Sequence, residues 1–278
     1  PLATVEIGAT AAGAEDESPN ELVVRRTLAC IVGALVTPGV ILAFVLAKNV
    51  FITYLVLIFI WVLVPGVWRW FSASARERLA FGWERVTINA ARQVRIGTPI
   101  AIVVLGAGIG AYAIAMQVVP DSMIVEARAK AAEYGLATDT ATERAATVFA
   151  LVWLSVSNPF SEELFWRGFL FRALLKDPEL ELSWRRDGLA WWGPATVAAV
   201  LYASYHIVVV NEFAHIGLAF LAGGGLVGYG LACQLLTSQF GIITSAVVHI
   251  GVDMVVSISG ADFLFEWGIA YRNTTAVM

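Results

Sequence analysis

Long apolar runs, separated by short polar breaks, dominate the chain. A bilayer core accommodates a helix of about 20 apolar residues. On that rule, runs at about 27–47, 50–70, 97–119, 146–176, 190–210, 213–236 and 239–259 are predicted to span. The shorter piece from Phe263 to Tyr271 predicts a short eighth span or an interfacial helix. The pattern therefore defines an all-α fold, a polytopic membrane helix bundle of seven to eight transmembrane helices. Within it, "GAGIG" (Gly106 to Gly110) and "GGGLVG" (Gly223 to Gly228) carry small residues four apart, a spacing that lets helices approach closely.

Between the second and third spans the pattern changes. Arg69, Arg76, Arg78, Arg85, Arg92 and Arg95 alternate with Trp70, Phe71, Leu79, Phe81 and Trp83. This predicts a basic amphipathic helix at about 69–96, lying in the headgroup region. Four domains follow. Residues 1–24 read as a disordered acidic tail, without the basic n-region of a signal peptide. Residues 25–145 hold the N-terminal spans and the basic interfacial helix. Residues 146–260 form a catalytic-type transmembrane core, and 261–278 a short C-terminal segment.

Composition agrees with the membrane reading. The chain of 278 residues is 59% hydrophobic and only 14% charged, against about a quarter charged in soluble domains. A net charge of −4 suggests no nucleic-acid partner. Cys30 and Cys233 lie in apolar runs and read as packing residues. Placing the basic block in the cytoplasm sets the topology. The N-terminus, with Arg25 and Arg26, then falls inside, as does the loop from Asp177 to Leu189. The linker from Pro120 to Glu143 falls outside, with a short helix of its own. The expected location is the inner (plasma) membrane of the cell, with the lipid bilayer as the first partner.

Ionisable residues inside the membrane cost roughly 2.5–3.5 kcal/mol each and are functional candidates by default. Glu162, Glu163 and Arg167 lie in the fourth span, within "NPFSEELFWRGFLFRALL" (Asn158 to Leu175). His206 lies in the fifth, and His249 with Asp253 in the seventh. At about 1.5 Å per residue, Glu162, His206 and His249 sit roughly 21, 24 and 15 Å from the cytoplasmic ends of their spans. These depths overlap, so the groups can meet in one cavity. His215, the third histidine, sits near the start of the sixth span and reads as interfacial.

Spacing divides the charges. Glu163 and Arg167 are i,i+4 in the order that favours a helical ion pair. Glu162 points about 100° away from Glu163 on a helix and is free for another task. His249 and Asp253 are also i,i+4, so Asp253 can orient the imidazole or share its ligand. Tyr202, four residues before His206, can contact it. Two carboxylates and two histidines suggest hydrolysis. Glu162 is the candidate general base, taking a proton from a water that attacks an amide carbonyl. His206 shares that water, and His249 donates to the developing oxyanion. The alternative is a divalent metal such as zinc at Glu162, His206 and His249, a known catalytic ligand set. Against it, the chain lacks H-E-x-x-H, and the ligands come from three helices.

Three motifs then point to a family. "EELFWR" (Glu162 to Arg167) fits E-E-x-x-x-R. "YASYH" (Tyr202 to His206) is similar to F-x-x-x-H. "HIGVD" (His249 to Asp253) fits H-x-x-x-N/D. In order and helical setting they resemble the CAAX protease and bacteriocin-processing (Abi, CPBP) family, which includes the Ras-converting CAAX endopeptidase. The resemblance covers about 157–257. It implies an intramembrane glutamate endopeptidase without an obligatory metal or other cofactor, acting on a membrane-associated peptide or protein. Carried over, Glu162 and His206 activate water, and His249 and Asp253 form the oxyanion side. Glu163, Arg167 and Tyr202 support them. Tyr202 departs from the usual phenylalanine. Asp253 stands where eukaryotic-type members have asparagine, and an ionised aspartate cannot donate to an oxyanion. It is therefore protonated, or it only orients His249.

Two other function classes remain open on the sequence. One is a catalytically silent scaffold of the same fold, a subunit of a larger complex whose partners are other membrane subunits. The other is a transporter with a midplane polar site, which would call for an inverted repeat that the spans do not show.

Overall fold

The structure, a computed structural model, describes residues 18–71, 89–136, 140–176, 188–213 and 216–265. These residues are overwhelmingly helical, with no strand among them. We number the helices in chain order. Helix α1 is Pro19–Leu46, and α2 runs over 50–71. Helix α3 is Ala90–Val118 and α4 is Asp121–Glu133. Helix α5 covers 141–174, and its stretch Leu164–Leu170 is wound as a π-helix. Helices α6, α7 and α8 are Leu189–Phe213, Ile216–Phe240 and Ile242–Phe265.

Among the described residues, five helices, α1, α3, α6, α7 and α8, are long and apolar enough to cross a membrane. The expected count of seven to eight is not reached on that measure. The apolar part of α2 is the shorter stretch Ile52–Trp68, and α5 carries the charges of the candidate site. The chain is an integral membrane protein built from helices.

Two boundaries differ from expectation. The tail expected to reach residue 24 gives way to helix at Pro19. Ser18 Oγ accepts from the Glu21 amide, the Glu21 carboxylate accepts from the Ser18 amide, and Pro19 occupies the first turn. This reciprocal cap satisfies two otherwise orphaned donors, and "SPNE" was its signal in the sequence. Helix α3 begins at Ala90, so Arg92 and Arg95 belong to it rather than to a separate interfacial helix. Residues 1–17, 72–88, 177–187 and 266–278 lie outside the described residues. With them go the acidic tail, most of the basic block, most of the loop after α5 and nearly all of the C-terminal segment; His215 is also outside.

The core forms around the second half of α5. Phe165, Trp166, Phe169, Leu170 and Phe171 are buried there against α1, α2 and α6 residues such as Val36, Trp61 and Tyr202. Helix α8 packs mainly on α3 and α5, and α6 on α7. Lipid chains are as apolar as leucine, so close approach of helices must supply the attraction. It occurs at single glycines. A Cβ at Gly251 would lie 2.8 Å from the Ala101 carbonyl oxygen of α3, and one at Gly97 would lie 3.0 Å from that of Thr244 on α8. Within "GAGIG" only Gly108 packs, against Val255, whereas Gly106 and Gly110 meet nothing. In "GGGLVG" Gly223 packs on Ile207, and Gly228 meets nothing. Gly97 and Gly108 are eleven residues apart, about three full turns, so they share one face. The pair at Gly106 and Gly110 points away from it.

Both ends of the bundle are tied by polar groups. Arg25 on α1 is buried and donates to the carbonyls of Arg172, Ala173 and Leu175. Those carbonyls end α5, where helical donors run out; that of Arg172 also accepts from the Leu175 amide at 3.2 Å. At the other end, α4 links to its neighbours through Lys48–Glu133 and Lys130–Glu212. Tyr134, which follows α4, donates to Glu212 at 2.7 Å. Cys30 and Cys233 are both free thiols.

Candidate active site

Helices α5 and α8 bring the site together. Glu162 and Glu163 close the α-helical part of α5, just before its π-helical stretch. A π-helix adds about one residue per turn and often marks functional sites. His249 and Asp253 occupy one face of α8, a turn apart. The two helices are zipped one to two turns beyond by Ser155 Oγ, which donates to the Asp253 carbonyl at 3.0 Å and contacts Ser257 Oγ.

Glu163 is fully buried. Its Oε1 is ion-paired with Arg167 Nη1 at 2.9 Å and accepts from His249 Nδ1 at 2.9 Å. An ionised carboxylate only accepts hydrogen bonds, so Nδ1 of His249 carries the hydrogen. Arg167 also points Nη2 at the Gly230 carbonyl, 3.5 Å away on α7. Its guanidinium lies 4.7 Å from the centre of the Tyr202 ring. One arginine thereby joins α5, α6 and α7.

Glu162, also buried, faces the other side of His249. Its Oε2 is 3.8 Å from His249 Nε2, and Asp253 Oδ1 is 3.5 Å from the same nitrogen. Both distances exceed those of a good hydrogen bond. Glu162 Oε1 is taken by Asn158 Nδ2 at 2.7 Å, and Asn158 also points at Asp253 Oδ2, 3.5 Å away. Glu162 Oε2 is buried without a hydrogen-bond partner.

His206 is held by its own helix. Its Nδ1 lies 2.9 Å from the Tyr202 carbonyl oxygen. A carbonyl only accepts, so Nδ1 is the donor and, in the neutral ring, Nε2 carries the lone pair. The Tyr202 ring centre lies 4.6 Å from that of His206 and 6.2 Å from that of His249. Tyr202 is thus the hub through which His206 reaches the cluster, rather than through a direct bond to Glu162. Tyr205 lies against His206, with ring centres 4.0 Å apart, and its buried hydroxyl faces the Glu162 carboxylate without forming a hydrogen bond of good geometry.

Among the sequence candidates, the structure gathers Glu162, Glu163, Arg167, His249 and Asp253 into one contact network, with His206 joined by Tyr202. It differs from expectation at His249. The short bond that orients the imidazole comes from Glu163, across helices, and Asp253 stands at the other nitrogen. Asn158 and Tyr205 were missed. Both lie inside the quoted motifs or beside them, and an i−4 amide before a buried glutamate was the available signal for Asn158. Among the described residues, no group of three His, Cys, Asp or Glu side chains is disposed to hold a metal ion.

A membrane helix bundle with a buried carboxylate–histidine cluster on three helices is the class that fold and site define. Residues 144–255 match the family model described as "Type II CAAX prenyl endopeptidase Rce1-like". Over that segment the chain is similar to the CAAX protease and bacteriocin-processing family of membrane proteases, and the segment holds every residue of the cluster. No curated protein and no solved structure matches the chain.

Proposed function

We propose that the protein is an intramembrane endopeptidase that hydrolyses a peptide bond of a membrane-associated substrate with water activated by Glu162. The observation that carries this reading is the buried, unpartnered Oε2 of Glu162 facing His249 Nε2, while Glu163 and Arg167 hold His249 from behind. Glu162 Oε2 takes a proton from water as the water oxygen attacks the amide carbon. His206 Nε2, with its lone pair available, accepts the second water hydrogen as a hydrogen bond. His249, carrying a hydrogen on Nε2 as well as on Nδ1, donates to the oxyanion. Glu162 then passes its proton to the leaving nitrogen and the C–N bond breaks as the oxyanion re-forms a carbonyl, giving a carboxylic acid and an amine that exchange one proton to leave as carboxylate and ammonium. Asp253 flanks His249 Nε2 and favours its cationic form, a role that needs no donation to the oxyanion. The N-terminus is placed in the cytoplasm and the protein in the inner (plasma) membrane, on the distribution of arginines.

The test uses the full chain in lipid vesicles and a pool of fluorescence-quenched peptides, with and without a C-terminal prenylated cysteine motif. Wild type is expected to cleave a subset. Glu162→Ala and His249→Ala are each expected to lower kcat by about 100- to 10,000-fold, as loss of a general base or of an oxyanion donor does. Cleavage unchanged in both variants would sink the assignment. Stoichiometric zinc in wild type, lost in the variants, would replace it with a metal mechanism at Glu162, His206 and His249. A wild type that cleaves no peptide would support the silent scaffold instead.

A further inference from the structure

We propose that Asn158 is a positioning residue for Glu162, deciding which carboxylate oxygen meets the water; this rests on the peptidase reading above. Asn158 lies four residues before Glu162 on α5, hence on the same face of the helix. Its amide nitrogen carries two hydrogens. One goes to Glu162 Oε1 at 2.7 Å, and the other is directed at Asp253 Oδ2, 3.5 Å away on α8. The orientation of the amide follows from chemistry. Turned over, it would set its carbonyl oxygen against two carboxylates.

The consequence lies in the symmetry of a carboxylate. Its two oxygens are equivalent, and its terminal torsion is broad and two-fold. Glu162 Oε2 makes no hydrogen bond of good geometry, and the Tyr205 hydroxyl interacts with the carboxylate only loosely, so Asn158 supplies the one short bond that fixes its plane. The Asn158 amide occupies Oε1 and leaves Oε2 on the side of His249 Nε2, at 3.8 Å. By donating to both carboxylates it also offsets the repulsion between Glu162 and Asp253. Glu163 needs no such help, because Arg167 and His249 hold it directly. The two adjacent glutamates are therefore positioned by different means, one by charge and one by an amide.

Asn158→Asp keeps the shape and removes the donor, and Asn158→Ala removes the side chain. Both are assayed with the peptide of the pool that wild type cleaves fastest. Each is expected to lower kcat about 100-fold, the scale of a misplaced reacting group. KM should stay within about twofold, because the interaction matters in the transition state and not in substrate binding. The double variant Asn158→Asp with Glu162→Gln should be no slower than Glu162→Gln alone, since groups acting as a unit are not additive. The thermal midpoint of Asn158→Ala in detergent should stay near wild type, whereas Asn158→Asp, which sets a third carboxylate beside Glu162 and Asp253, should lower it.

The outcomes separate. If Glu162→Gln is inactive and Asn158→Asp keeps its kcat within about twofold, on the same scale, the positioning role falls and the peptidase reading stands. A double variant slower by the product of the two losses would also overturn it. So would failure of both Asn158 variants to fold, which would assign the residue to the architecture. If Glu162→Gln retains wild-type kcat, or wild type cleaves nothing, the peptidase reading falls and takes this inference with it.

Discussion

Glu163 is the residue on which the cluster hangs, because Arg167 and His249 both close on its Oε1 at 2.9 Å. A buried ion pair contributes little net stability, but breaking one strands a charge at a cost of about 3–5 kcal/mol. Arg167→Ala is expected to destabilise the protein on that scale, read as a fall in thermal midpoint in detergent. Arg167→Lys should recover only part of it, since a lysine cannot reach Glu163, the Gly230 carbonyl and the Tyr202 ring with one planar group. The Glu163–Arg167 partnership was legible as an i,i+4 spacing. The Glu163–His249 bond was not, because spacing arguments see one helix at a time. For the same reason the candidate for orienting His249 was Asp253, a turn away on its own helix, with a share in its ligand as the alternative.

At the scale of the element, helix phase decides which small residues matter. Gly251 faces the α3 backbone, and a Cβ there would meet the Ala101 oxygen at 2.8 Å and its Cα at 3.0 Å. Backbone cannot move aside as a flexible side chain does. Gly251→Val should therefore separate α3 from α8 and lower the thermal midpoint, while Gly106→Ala should leave it unchanged or raise it slightly. Equal effects at the two positions would contradict the packing described. The sequence motif drew attention to small residues four apart. The contact faces instead carry Gly97, Gly108 and Gly251, whose partners lie far along the chain. The π-helical stretch of α5 was likewise invisible to a pattern read at 3.6 residues per turn.

At the scale of the whole molecule, the end of the bundle near α4 is held by exposed charges. The hydrogen bond and the charge of Lys48 hold the Glu133 carboxyl below its ordinary value of 4.5, and the same partner holds the Lys48 amine above 10.5. A lowered carboxyl contributes stability above its ordinary value and loses it as the pH falls through the folded value. A raised amine contributes below 10.5 and loses it as the pH rises further. The link therefore operates across neutral pH. Glu133→Gln should lower the thermal midpoint slightly at pH 7. The difference should vanish in strong acid and in about 1 M salt, where screening acts within about 3 Å. A difference that persists in both would mean that Glu133 acts through packing.

Membrane character, helical class and the acids, histidines and arginine of the cluster followed from the chain alone, while Asn158 and Tyr205 did not. Apolar run length reports directly on a bilayer of fixed thickness, and a charge inside such a run is costly enough to announce itself. The segment from 144 to 255 also kept its motifs in an order that a family model matches. What the linear order left open was who faces whom. The same four-residue spacing serves a real contact at Glu163–Arg167 and a glycine pair that touches nothing. Only the rotation and crossing of α5, α6 and α8 assigned His249 to Glu163, reached His206 through Tyr202 and set Asn158 between two carboxylates. Those placements depend on side chains about 50 to 100 residues apart meeting in three dimensions, a relation set by helix packing and not by periodicity along the chain.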